Sequence, residues 1–278
     1  MSWTDRSLVV SSHTLGRDVG FAERVRVAAE AGYAGIGLRA ENYWQALDAG
    51  LDDTTMLAIL ERHGLAVREV EYVTGWGTDR DADQREKERT VFAMARAFGV
   101  RHVNIGLLEH VPIDVVTGAF AELCGRAEEL VVALEFMPYS GVPDLPTAWR
   151  VVERAGCANG ALLVDAWHWI RSGTTDEALE PVPADRVVSV QLSDVAERSM
   201  TPLRAESLGH RLPPGQGFGD VVGMVDALVA KGVAPDAVAV EVISDELVRQ
   251  GLDVAATVTY AAARRVLDGD SARPGGAR

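Results

Sequence analysis

Cysteine is scarce in this chain. The two present, Cys124 and Cys157, show no metal-type spacing. Their scarcity excludes a disulfide-stapled scaffold or a cysteine-based zinc module and fits a reducing, cytoplasmic compartment. Long apolar runs are lacking too. No stretch of about 18 apolar residues occurs, so neither a transmembrane helix nor a membrane partner is expected. The opening segment, MSWTDRSLVV, is charged early and has no long apolar centre, which argues against a secretory signal. Positive charge is outnumbered, with 27 Lys and Arg against 41 Asp and Glu, a formal net charge of -14. Such a chain repels a phosphate backbone at long range, so no nucleic-acid partner is expected. A small anionic substrate stays admissible, because a local basic patch overrules net charge. No glycine-rich phosphate loop follows the first strand-like segment, where SSHTLGRD stands. Its absence disfavours an open dinucleotide-binding sheet.

What the sequence does contain is alternation. Short runs rich in β-branched residues lie at 7–14, 34–39, 66–73, 102–108, 131–137, 161–167, 187–193 and 238–243. Amphipathic stretches separate them, at 18–31, 52–63, 83–98, 114–128, 145–156, 175–180, 218–231 and 246–267. Gly32, Gly64, Gly99, Gly156 and Gly232 fall where helices would end. Eight βα units in strict alternation, over 278 residues that are 47% hydrophobic, predict a single-domain α/β fold, a (β/α)8 TIM barrel. The barrel is expected over 1–267, with the polar stretch 268–278, DGDSARPGGAR, as a disordered tail.

Four polar residues interrupt the later strands: Glu135 in VVALEFMP, Asp165 in ALLVDAWHW, Gln191 in VVSVQLSD and Glu241 in VAVEVIS. Burying a lone carboxylate in such a run costs several kcal/mol unless it is paired or metal-bound. One per strand, each near a strand's C-terminal end, they sit where barrel chemistry occurs. Together they predict an oxygen-rich site for one divalent metal, with Mg²⁺ or Mn²⁺ favoured over Zn²⁺. The plainer alternative is a buried polar network without a cation, which the mutual repulsion of three carboxylates weakens. His168, three residues past Asp165, is either a proton carrier or an ordinary His stacked between Trp167 and Trp169. Glu71 is preferred to Glu69 as a polar group at the barrel end. His13 ends the first strand and is a candidate substrate contact. In the Pro- and Gly-rich segment 208–220, Arg211 is placed to grip a substrate carboxylate, phosphate or hydroxyl. Trp44, Trp76 and Trp167 are candidates to wall a pocket.

The motifs LEFMP, LLVDAWHW, VQLSD, RLPPGQG and VEVIS, in this order, resemble those of the xylose isomerase-like TIM barrels, a family of sugar-phosphate isomerases and epimerases. The resemblance implies one divalent metal held by Glu, Asp, His and Glu, which map onto Glu135, Asp165, Gln191 and Glu241. It also implies that Glu135 and Glu241 shuttle protons and permits a homodimer. The strand-seven ligand of the family is usually His, and Gln191 stands there instead. That departure resembles some 3-dehydroshikimate dehydratases of the same superfamily.

The expected activity is therefore proton transfer α to a carbonyl on a small keto-sugar or polyol substrate, giving an isomerase or epimerase. Catalytic roles fall to Glu135, Glu241 and His168, and substrate contacts to Arg211, His13, Glu71 and Trp167. Loss of a β-hydroxyl from the same enolate would make it a dehydratase acting on dehydroshikimate or an inosose. A multi-zinc repair endonuclease shares this barrel, but six His and the acidic charge oppose it. A non-catalytic binding subunit is the remaining class.

Overall fold

The computed structural model describes residues 3–77 and 79–269. The strands are β1 Leu8–Val10, β2 Gly35–Arg39, β3 Ala66–Val73, β4 His102–Gly106, β5 Val131–Glu135, β6 Gly160–Asp165, β7 Val187–Leu192 and β8 Ala237–Val240. Each pairs in parallel with its sequence neighbour, and β1 pairs with β8, so the sheet closes into the expected barrel. Helices cover its outer face, among them Phe21–Ala31, Ala82–Ala97, Ile113–Ala127 and Leu252–Leu267. The tail expected at 268–278 falls beyond the last helix, and 270–278 lie outside the described residues.

The β-branched runs are buried on both faces. One side packs under the helices and the other fills the barrel, as a parallel sheet requires. Three helices were not anticipated: Ala40–Asp48, Ala166–Ser172 and Leu203–Ser207. All three lie in βα connections, and only Ala166–Ser172 overlaps a run read as strand, 161–167. The stretch expected as a helix at 246–267 is broken at Gly251, whose φ of 106 separates Asp245–Gln250 from Leu252–Leu267.

Strand register sets the height of each polar side chain along the barrel axis. Arg39 pairs with Glu71, Glu71 with Asn104, Gly106 with Glu135 and Asp165 with Gln191. Period two turns both Glu69 and Glu71 inward, where both are buried. Two strand glycines make room for this polar interior. A Cβ on Gly37 would come within 2.7 Å of Glu69 Oε2, and one on Gly106 within 1.7 Å of the Tyr72 hydroxyl oxygen. Any side chain at position 106 would displace Tyr72.

Candidate active site

Five carboxyl groups and two guanidinium groups gather inside the C-terminal half of the barrel, in two connected layers. The deeper layer is built on β3. Gln191 Nε2 donates to Glu69 Oε1 and to Glu71 Oε1, both at 2.8 Å, and to Ser11 Oγ at 3.3 Å. Asn104 Nδ2 donates to the same two carboxylate oxygens at 3.1 and 3.2 Å. The Ser11 hydroxyl donates to the other oxygen of Glu69. Burial, with the neighbouring Glu71 charge, holds the Glu69 carboxyl well above the ordinary carboxylate range.

The upper layer holds Glu135, Asp165, His168, Glu241 and Arg211. Asp165 ends β6 and also caps the helix Ala166–Ser172, its Oδ1 accepting from the His168 N–H at 2.9 Å. This cap ties His168 to the end of β6, where its side chain is buried and reaches the cavity wall. Glu135, Asp165 and His168 each offer one ligand atom, all within 4.8 Å of one another. Tyr72 donates to Glu135 Oε2 at 2.6 Å, and Glu135 Oε1 lies 3.4 Å from His168 Nε2.

Arg211 reaches this layer because its loop folds back over the barrel. The Arg211 N–H donates to Ile243 O at 3.0 Å, and Leu212 pairs with Asp194. Its guanidinium contacts Asp165 Oδ2 at 2.7 Å and Glu241 Oε2 at 3.1 Å. The remaining donors go to Ser207 O at 2.9 Å, Ser207 Oγ at 3.0 Å and His168 Nε2 at 3.4 Å. Arg39 joins the two layers, 3.2 Å from Glu71 Oε2 and 3.5 Å from Glu241 Oε1.

Burial dominates the proton equilibria here. It pushes the Asp165 carboxyl up to about 6, with Arg211 opposing and Glu241 reinforcing. Burial, then the Glu241 and Asp165 charges, hold the Glu135 carboxyl well above its usual range. Desolvation and the Arg211 charge press His168 far below 6.5, so its contact with Glu135 involves a neutral ring and is not an ion pair. His13 is likewise held neutral, down to about 2, by burial and then by Arg39.

The residues fit a cation. Carboxyl groups outnumber guanidinium groups, and raised proton affinity marks a place where added positive charge is favourable. Two buried ligand-type atoms, Gln191 Oε1 and His168 Nδ1, have no hydrogen-bond partner.

Several expected roles fall elsewhere. The expected quartet was Glu135, Asp165, Gln191 and Glu241, but His168 joins Glu135 and Asp165, while the Gln191 amide N–H2 turns to Glu69 and Glu71. The preference for Mg²⁺ or Mn²⁺ rested on an all-oxygen set, and an imidazole removes that basis. Arg211 was expected to grip the substrate, yet its five N–H donors face protein acceptors. Glu71 is enclosed beside Arg39, and Trp167 is wholly buried, with the Arg211 guanidinium 5.6 Å from its ring centre. Neither lines the cavity above the site, whose volume is about 270 Å³ and whose wall includes His13, Tyr72, Glu135, His168, Arg211 and Glu241. Tyr72 and Arg39 were missed. Their signal was position at a strand's C-terminal end, Tyr72 directly after Glu71.

Among the described residues no helix is long and apolar enough to cross a membrane. A 3-dehydroshikimate dehydratase of Pseudomonas aeruginosa is 32% identical over 85 residues, 31% of this chain and 13% of that one. The chain thus spans about an eighth of that curated relative. A fusion of a xylose isomerase-like TIM barrel with a 4-hydroxyphenylpyruvate dioxygenase superposes with a TM-score of 0.84 at 16% identity, over 95% of this chain and 43% of that one. An IOLI protein with a bound zinc atom superposes with a TM-score of 0.83 at 18% identity, over 95% and 98% of the two chains. At such identities these superpositions speak for the fold alone. The family description "Xylose isomerase-like TIM barrel" matches residues 25–261. With most of its length matched and its eight strands closed into a parallel barrel, this chain belongs to the xylose isomerase-like TIM barrel family.

Proposed function

We propose that the protein is an enzyme that moves a proton α to a carbonyl on a small polyhydroxylated substrate. A divalent cation would be held by Glu135, Asp165 and His168, with Glu241 or the unpartnered Gln191 oxygen completing the set. The observation behind this reading is the convergence of three buried carboxyl groups and a neutral imidazole beneath one cavity. When bound, a divalent cation supplies Lewis-acid polarisation of a substrate oxygen.

The rest falls to the side chains. The Tyr72 hydroxyl orients Glu135 at the cavity wall, and burial raises its proton affinity above that of an open carboxylate. Glu135 is therefore the proposed base, and Glu241, on the same wall, the proposed group that returns the proton. His168, kept uncharged, suits ligation better than proton donation. Return of the proton to the opposite face gives an epimer, and return to the neighbouring carbon gives an isomer. Expulsion of a β-hydroxyl gives a dehydrated product instead. The similarity to a 3-dehydroshikimate dehydratase favours this second reading of the same site. Zn²⁺ stands beside Mn²⁺ and Mg²⁺ as a candidate cation.

Metal analysis joined to a D₂O assay tests the reading. The purified protein should hold a stoichiometric divalent cation, and chelation should abolish turnover. Across keto-sugars, inososes and dehydroshikimate, one substrate should take up solvent deuterium at its α-carbon or yield an ultraviolet-absorbing unsaturated product. Full activity in a metal-free preparation would sink the proposal.

A further inference from the structure

The cavity wall carries more positive charge than the chain around it. Arg17, Arg39, Lys87, Arg204 and Arg211 all line it, against the carboxyl groups of Glu135 and Glu241. The chain as a whole has the opposite balance, 27 basic residues to 41 acidic. Three of the five cations are engaged by protein carboxylates. Arg39 faces Glu71 and Glu241, Lys87 pairs with Glu41, and Arg211 faces Asp165 and Glu241. Arg17 and Arg204 differ. Both are exposed at the mouth, and among the described residues neither guanidinium is paired with a carboxylate. Arg17 follows the short 3-10 turn Ser12–Leu15 after β1, and Arg204 lies on the helix Leu203–Ser207 after β7. Their two loops flank the one after β8, the side of a TIM barrel that commonly receives anionic groups.

Free guanidinium groups at the rim of a concave wall concentrate field lines and form paired hydrogen bonds to carboxylate or phosphate oxygens. The volume, about 270 Å³, equals roughly nine waters at about 30 Å³ each, room for a six-carbon skeleton. We infer that the substrate is a small polyhydroxylated anion whose carboxylate or phosphate is seated by Arg17 and Arg204. Its reacting carbons would lie deeper, towards Glu135 and Glu241. The inference deepens the proposed function, and rests on it only for which end of the substrate reacts.

Titration calorimetry on the full chain, as purified, tests it with probes matched except in charge. One pair is quinate and its methyl ester, the other glucose 6-phosphate and glucose. In at least one pair the anion should bind about tenfold or more tightly, the range of one or two charge-assisted hydrogen bonds. The preferred pair identifies carboxylate or phosphate. Raising ionic strength should weaken only the anion's binding. Arg17→Gln and Arg204→Gln should each lower that preference, and the double variant should abolish it while the neutral probe binds as before. Both side chains are exposed, so the variants should keep the parent's circular dichroism and unfolding midpoint. Equal binding within both pairs, or a preference that survives the double variant, overturns the inference. Deuterium exchange without charge preference would leave the proton-transfer reading standing alone. Charge preference without exchange or dehydration would leave the anion site standing without that chemistry.

Discussion

Arg211 Nη1 lies 2.7 Å from Asp165 Oδ2, and neither side chain is open to solvent. The same nitrogen lies 3.1 Å from Glu241 Oε2, so one guanidinium serves two carboxylates from different strands. Removing it would leave both acidic groups without their nearest counter-charge. Arg211→Met should therefore destabilise the metal-free protein by about 3–5 kcal/mol, the range for breaking one side of a buried ion pair. Added divalent cation should restore part of the loss. Urea unfolding with and without cation checks this, and a change below about 1 kcal/mol would remove Arg211 from that role.

The metal-free protein should lose stability as pH rises above 6.5, the open-chain value of histidine. Asp165 is held at about 6 when folded against 3.8 in the open chain, and Glu69, Glu71 and Glu135 shift the same way. Between its two values each of these carboxyls binds more protons folded than unfolded, so its contribution falls with rising pH. His13, His102 and His168, held neutral in the fold against 6.5 in the open chain, act in the opposite sense up to that pH. Surface carboxyls such as Glu23 and Asp52 are shifted down and act below their ordinary values, on the acid side of this window. Thermal unfolding after exhaustive chelation should show the fall, and saturating cation should flatten it. A midpoint that climbs steadily above about pH 7 without metal would contradict the buried carboxyls' assigned state.

Tyr72→Phe removes one hydroxyl and keeps the ring beside Arg39, whose guanidinium carbon lies 5.1 Å from the ring centre. The lost hydrogen bond favours the charged form of Glu135, so its removal should raise that carboxyl further. A base must be deprotonated to act, so the acid limb of the pH profile of kcat/KM should move to higher pH. Turnover above the limb should fall far less than in Glu135→Gln, where a loss of about 10²–10⁴-fold is expected for a missing base. An unmoved acid limb would exclude Glu135 as the proton acceptor.

Gln191 separates a structural role from a metal-binding one. Gln191→Ala deletes donors to both Glu69 and Glu71 and should cost about 1–3 kcal/mol for each carboxyl left short. Gln191→Glu should be worse at neutral pH, because it adds a third acid to the layer. If the free oxygen of Gln191 also binds a cation, Gln191→Ala should weaken metal affinity as well, measured by competition with a fluorescent chelator. Reduced stability with unchanged affinity would confine Gln191 to the lower layer.

The barrel was legible because eight β-branched runs alternate with amphipathic ones, a pattern with one common closed solution. Glu135, Asp165 and Glu241 were legible as carboxylates inside apolar runs. What sequence spacing could not convey was height along the barrel axis. Gln191 pairs in register with Asp165, yet its amide meets residues of β3 from across the interior. Arg211 reads as a substrate grip on a loop, but the loop's pairing with Asp194 and Ile243 folds the side chain inward. His168 read as ambiguous because its placement depends on the Asp165 cap, a feature of local geometry three residues long.

The lower layer also constrains how this chain can drift. Ser11, Glu69, Glu71, Asn104 and Gln191 come from four different strands or their ends, and the two amides are each shared by the same two acids. A change at any one member strands a group on another strand. Substitutions there should therefore be strongly non-additive in double-mutant cycles. Across homologues the five positions should be exchanged together, as a linked block, so that His at position 191 would be accompanied by different residues at 69, 71 and 104.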